Sequence, residues 1–171
     1  VMNKDIPEDV YEDISDKIFG KKLKRHQIKI ATICALYGQS PSRLEEHLNG
    51  SIDARTAIQK VKSYFSHGQL LQKIRSGSTS SMMKNYFGRP ILIDKNSPVV
   101  SYFLQSSVAE ASILMFSDIC MQHQDIVPLY VVHDALIADV PADIYSKLSA
   151  KKVFNLTLDG WNFASKISEL G

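Results

Sequence analysis

The sequence has 171 residues, 44% of them hydrophobic and 22% charged. That suits one domain or two small ones, burying roughly 68–70% of the unfolded surface, and excludes a disordered tail. The formal net charge of +2 neither demands nor excludes nucleic acid, so where the charges sit matters more than their sum.

Residues 1–16 are acidic and polar, unlike a signal peptide. No uninterrupted apolar run reaches about 18 residues, so no membrane-spanning helix and no membrane partner are expected. Cys34 and Cys120 have no zinc spacing and no disulfide framework. Both lie in apolar stretches and read as buried free thiols, which fits a reducing, cytoplasmic setting.

In chain order, Val10, Ile14 and Ile18 recur every four residues, which predicts a short helix over 9–19 ended by Gly20. Residues 21–29, KKLKRHQIK, hold five Lys/Arg and one His. A second helix is predicted over 23–37, closed by Gly38. Pro41 opens a third helix to about Leu48, with a turn at Asn49-Gly50. A fourth is predicted over 51–65 with Ser51 as cap, broken by His67-Gly68, and a fifth over 69–75. Residues 76–81, SGSTSS, are a loop and the expected subdomain boundary. Residues 84–93 read as a strand or hairpin arm interrupted at Gly88-Arg89-Pro90. A long helix is predicted over about 100–122 after Ser97-Pro98. Residues 126–140, IVPLYVVHDALIADV, read as β, with His133-Asp134 at the centre. A helix over 142–154 and a short element within 160–170 complete the prediction.

Two features point to chemistry. Arg25, Lys29, Ile33 and Tyr37 recur at i+4 and so share one helix stripe. Such a stripe is ordinarily a solvated face. The sharper reading is a triphosphate ligand, with cations on phosphate oxygens and the ring at the base or sugar end. Asp134 sits between apolar segments, where an unpaired carboxylate is costly. It is a turn residue, a satisfied core partner, or a metal ligand at a hairpin apex. A two-metal site needs more than one such carboxylate. His26, His47, His67 and His123 suggest no role.

Together these features resemble the family A, DNA polymerase I-like, DNA polymerases. Arg25-x3-Lys29-x3-Ile33-x3-Tyr37-Gly38 resembles the family's fingers-helix motif, and Val132-His133-Asp134 its palm motif. Asp9-Val10-Tyr11 through Phe19-Gly20 is similar to its "D-I-H … V-F-G" helix, and Tyr64-Phe65 to its "YF". Phe87-Gly88-Arg89 is similar to its "GR" turn. Residues 105–110, QSSVAE, are similar to its QG-(S/T)-A-A-D helix start. The matches fall in the family's order and cover about residues 9–140.

The resemblance implies an α/β (α+β) fold. Residues 1–78 would be a helical fingers subdomain. Residues 79–171 would be the C-terminal part of a palm, with a β-hairpin carrying His133-Asp134. It implies nucleotidyl transfer of dNTPs to a primer 3′-hydroxyl by a two-metal, Mg²⁺-dependent mechanism. Arg25 and Tyr11 would contact nucleotide phosphates, Tyr11 standing where the family has His. Lys29 would contact phosphates near the reacting centre and act as general acid. Ile33, where Phe or Tyr is usual, would touch the sugar. Tyr37 and Gly38 would line the insertion site and nucleic acid. Gln105 would touch the minor groove of primer–template DNA, and Arg89 a backbone phosphate. His133 would place the primer terminus, and Asp134 would bind metal.

Some positions depart from the pattern. Ala135 replaces the Glu that usually follows His-Asp, and Ser97 and Ser101 stand where Arg and Asn are usual. The first palm motif, with the other metal Asp, is not among these 171 residues. A companion polypeptide carrying that motif and the thumb, with or without an exonuclease, is therefore expected. The spacing from Tyr37 to His133 and Ala135 look most like phage-encoded members, which would place the protein in host cytoplasm. A single-subunit RNA polymerase relative shares the Arg-x3-Lys…Tyr-Gly helix, but Gly88-Arg89 and Gln105 favour the DNA branch. A non-catalytic nucleic-acid-binding module is the other reading.

Overall fold

Local capping chemistry sets most helix boundaries. Helix α1 (Val10–Phe19) begins at Asp9, whose carboxylate accepts the Tyr11 and Glu12 backbone N–H at 2.9 and 3.3 Å. It ends at Gly20, in the left-handed region (φ 54°) that glycine enters without a Cβ penalty. Helix α2 (Arg25–Tyr37) ends the same way at Gly38, and α3 (Pro41–Leu48) starts on its proline. Helix α4 (Ala54–Tyr64) is capped by Asp53, which accepts the Thr56 N–H at 2.7 Å, rather than by the expected Ser51. The break after α4 falls at Ser66, in the left-handed region, and His67-Gly68 form the first turn of α5 (His67–Ser76) instead of interrupting it.

The computed structural model describes residues 9–132, 135–150, 154–158, 161–165 and 168. Among them are seven helices and three two-stranded antiparallel sheets, an α+β composition. The chain divides into two compact units, residues 1–104 and 105–171.

In the first unit, α1 to α4 enclose a core of Ile14, Phe19, Ile28, Leu44, Ala57 and Val61 with their neighbours. Two of the buried polar side chains in it are satisfied, while the buried Thr32 hydroxyl has no partner among the described residues. Ser15 Oγ donates to the Leu23 carbonyl at 3.0 Å, and the Gln27 amide nitrogen donates to the His47 carbonyl at 2.9 Å. Tyr64, at the end of α4, donates to Asp13 on α1 at 2.6 Å. A second cluster of Ile74, Met83 and Val100 joins α5 to a hairpin of β1 (Met82–Lys84) and β2 (Pro90–Leu92), with Met83 opposite Ile91. This hairpin is the arm expected around Gly88-Arg89-Pro90.

Helix α6 (Val99–Gln122) is long and apolar enough, by length and composition alone, to cross a membrane. Five serines interrupt its apolar run without adding charge, which is why the sequence shows no uninterrupted apolar stretch of that length. Of its buried positions, Val100 and Ser101 belong to the first unit, and Ala111, Ser112, Met115 and Phe116 to the second.

In the second unit, β3 (Val127–Val132) pairs with β4 (Ala135–Asp139), Val132 opposite Ala135, with an irregularity between Pro128 and Tyr130. Helix α7 (Ala142–Ala150) follows. Residues 142–154 were expected to be one helix, but Phe154 opens a strand. β5 (Phe154–Leu158) pairs with β6 (Trp161–Ser165). Phe154, Leu156 and Leu158 alternate with Asn155 and Thr157, a period of two that outweighs the helical reading.

Candidate functional site

The stripe on α2 is real as a face. Arg25, Lys29 and Tyr37 are exposed and Ile33 is half-buried, while Gln27, Ile28, Ala31, Thr32, Cys34 and Ala35 are buried on the other side. Apolar burial orients the helix, so the four stripe residues are left outward by exclusion. Gln27 locks that rotation further. Its amide oxygen accepts the Lys24 N–H at 2.9 Å while its nitrogen holds the end of α3. Burial pushes the Cys34 thiol pKa up, which suits a structural cysteine. Cys120 is half-buried.

Tyr11 joins this face. The Arg25 guanidinium carbon lies 5.1 Å from the Tyr11 ring centroid, and its Nε donates to Asp9 Oδ2 at 2.5 Å. The Arg25 hydrogen bond holds the Asp9 carboxyl below its usual pKa, and Asp9 in turn raises Arg25 above its own. Two segments about one helix apart in sequence, Asp9–Tyr11 and Arg25, thus meet at one place.

Arg89 is exposed in the turn between β1 and β2. That turn is built by Asn85, which is buried. Its side-chain oxygen accepts the Phe87 N–H at 3.0 Å and the Arg89 N–H at 2.8 Å, while the Asn85 N–H donates to the Arg89 carbonyl at 2.9 Å. Gly88 takes φ 88°, closed to most L-residues. Gln105 is exposed on α6, in the second unit. His133 and Asp134 lie outside the described residues, although the strands on either side of them pair.

The structure brings Tyr11 and Arg25 together and aligns Lys29, Ile33 and Tyr37 with Arg25 on α2, with Gly38 as its left-handed cap. It does not bring Arg89 into the same packing cluster, since the hairpin belongs to the cluster around Met83. Sequence reading assigned no role to Asp9, Asn85 or the Tyr64–Asp13 pair. Asp9 had a local signal as a helix cap. The other two contacts become visible only when distant segments pack.

Surface hollows lie elsewhere, one lined by Arg75, Thr79, Ser80 and Lys95, another by Lys17, Gln59, Lys60 and Tyr64. A single helix face holds a polyphosphate by its cations alone, and further walls would tighten that grip. The donors for a metal pair are also incomplete. No group of three or more His, Cys, Asp or Glu gathers among the described residues, and Asp134 supplies one carboxylate where a two-metal centre needs more. No protein-family model, curated protein or solved structure matches the chain.

Proposed function

We propose that this chain is the C-terminal catalytic portion of a template-directed DNA polymerase, with residues 1–78 as fingers and 79–171 as part of a palm, working with a companion polypeptide in the cytoplasm. The observation that carries this reading is the convergence on one open face of two separated motif segments, Tyr11 against Arg25, in line with Lys29, Ile33 and Tyr37. Arg25, Lys29 and Tyr37 are exposed on this face, and the half-buried Tyr11 ring lies against Arg25 at its start.

In this reading Arg25 and Tyr11 bind the terminal phosphates of a dNTP. Lys29, one turn on, holds the phosphates nearer the reacting centre. The primer 3′-hydroxyl gives up its proton to solvent and its oxygen bonds to the α-phosphorus, the bond to pyrophosphate breaks, and the Lys29 ammonium gives its proton to the departing pyrophosphate oxygen. Ile33 packs on the sugar, and Tyr37 with Gly38 borders the templating base. Arg89 and Gln105 hold primer–template DNA by backbone and minor groove, and His133 places the primer end. Asp134 and a carboxylate of the companion polypeptide would hold Mg²⁺, which would supply charge neutralisation for the phosphoryl transfer.

Primer extension with deoxynucleotides and Mg²⁺ tests this, using the chain alone and then mixed with the polypeptide encoded beside it. Extension in the mixture only is expected. Asp134→Ala should abolish it with duplex binding intact. No extension in the mixture, or synthesis that survives Asp134→Ala, overturns the reading and leaves a nucleic-acid-binding module.

A further inference from the structure

We infer that Asp9 is a positioning residue for Arg25, fixing its guanidinium so that the terminal N–H groups are presented to a polyphosphate; this rests on the reading of α2 as a phosphate-facing helix. Asp9 divides its two carboxylate oxygens. Oδ1 accepts the Tyr11 and Glu12 N–H groups at the start of α1, and Oδ2 accepts Nε–H of Arg25 at 2.5 Å. The cap anchors the carboxylate, so it is a fixed post rather than a free surface side chain. Its side chain is 27% exposed, against 55% for Arg25.

Arg25 is therefore held on one edge by Asp9 and packed near the Tyr11 ring. A guanidinium carries five N–H donors in a planar fork. Asp9 takes the one on Nε, and the four on the terminal nitrogens have no acceptor among the described residues. An exposed ion pair adds little stability, so stability alone gives a weak reason for this arrangement. A fork held in one orientation is what bidentate phosphate binding needs.

Two effects oppose each other. The Asp9 charge repels an anion, while its grip spares the ligand the cost of ordering Arg25. A phosphate on the terminal nitrogens meets Asp9 across the guanidinium, and salt at about 0.15 M screens charges beyond about 8 Å. Orientation is expected to win, by about two- to tenfold in affinity.

The test titrates inorganic tripolyphosphate into the whole chain at about 0.15 M salt. The proteins are the parent, Asp9→Asn, Arg25→Ala and the double variant. Asn is as good a helix cap as Asp, so α1 keeps its start while the charged grip is lost. Asp9→Ser repeats the test with a capping oxygen too short to reach Arg25. Helical circular dichroism checks that each variant is folded.

The expected result is weaker binding by both Asp9 variants, loss with Arg25→Ala, and no further loss when Asp9→Asn is added to Arg25→Ala. The Arg25 Nε–H signal in ¹⁵N spectra, slowly exchanging in the parent, should broaden in Asp9→Asn. Binding by Asp9→Asn as tight as the parent's, or an equal loss in the Arg25→Ala background, overturns the positioning role and leaves the phosphate-facing reading standing. A parent chain that does not bind tripolyphosphate sinks that reading, and this inference with it.

Discussion

Lys29 stands exposed one turn beyond Arg25, outside the core around Ile28 and Ala31. Removing its side chain should leave stability within about 0.5 kcal/mol. If Lys29 is the proton donor, Lys29→Ala should slow nucleotide incorporation by about 10²- to 10⁴-fold in the assembled enzyme. Single-turnover incorporation alongside denaturant unfolding checks both halves, and a mild rate effect would reduce the stripe to an ordinary solvated face. Lys29 was legible because a four-residue spacing is a local property of any helix. Asn85 was not, because an asparagine before a Gly-Arg turn is common. What distinguishes it is its burial and the two N–H groups its side chain accepts.

The α1–α4 contact has a pH signature of its own. Burial first, and then the hydrogen bond to Asp13, push the Tyr64 phenol up to about 12. The hydrogen bond to Lys17 first, and then that to Tyr64, lower the Asp13 carboxyl. A raised phenol pKa stabilises the fold fully below the unfolded value near 10 and is lost as pH climbs through about 12. A lowered carboxyl contributes above about pH 4 and is lost in acid. Urea midpoints for the parent should therefore fall more steeply between pH 10 and 12 than those for Tyr64→Phe, which lacks the hydroxyl. Parallel curves would mean that the contact carries no stability. The periodicity predicted α2 over 23–37, and the helix occupies Arg25–Tyr37. It misread the start of α4, where Ser51 and Asp53 are both good caps and only packing decides between them.

At the scale of the whole chain, the β3–β4 hairpin stands out. All six residues of β3 are exposed, with Leu129 at 57% and Tyr130 at 58%. A two-stranded hairpin is marginal in water, and an apolar one offers both faces and an edge. Hydrogen exchange should find the β3 and β4 amides poorly protected in the chain alone and slowed once the companion polypeptide is bound. Unchanged exchange in an active mixture would mean that the hairpin is not where the partner adds. Sequence reading found the two strands and the His133-Asp134 between them, since apolar β-rich runs announce themselves. It missed β5, because the alternation from Phe154 to Leu158 is short and follows directly on a helix, whereas β6 falls in the short element expected within 160–170.

By itself the sequence determined the α+β composition, the α1 to α3 boundaries and the outward stripe on α2. These follow from caps, glycine conformations and period, all written within one or two turns of chain. Only the tertiary structure decided that Asp9 and Tyr11 meet Arg25, that Tyr64 ties α4 to Asp13, and that Asn85 shapes the Arg89 turn from a buried position. The first two pairings join residues far apart in sequence. They exist because burying Ile14, Ile28, Leu44 and Val61 in one core brings their helices together, a condition that no local stretch of sequence contains.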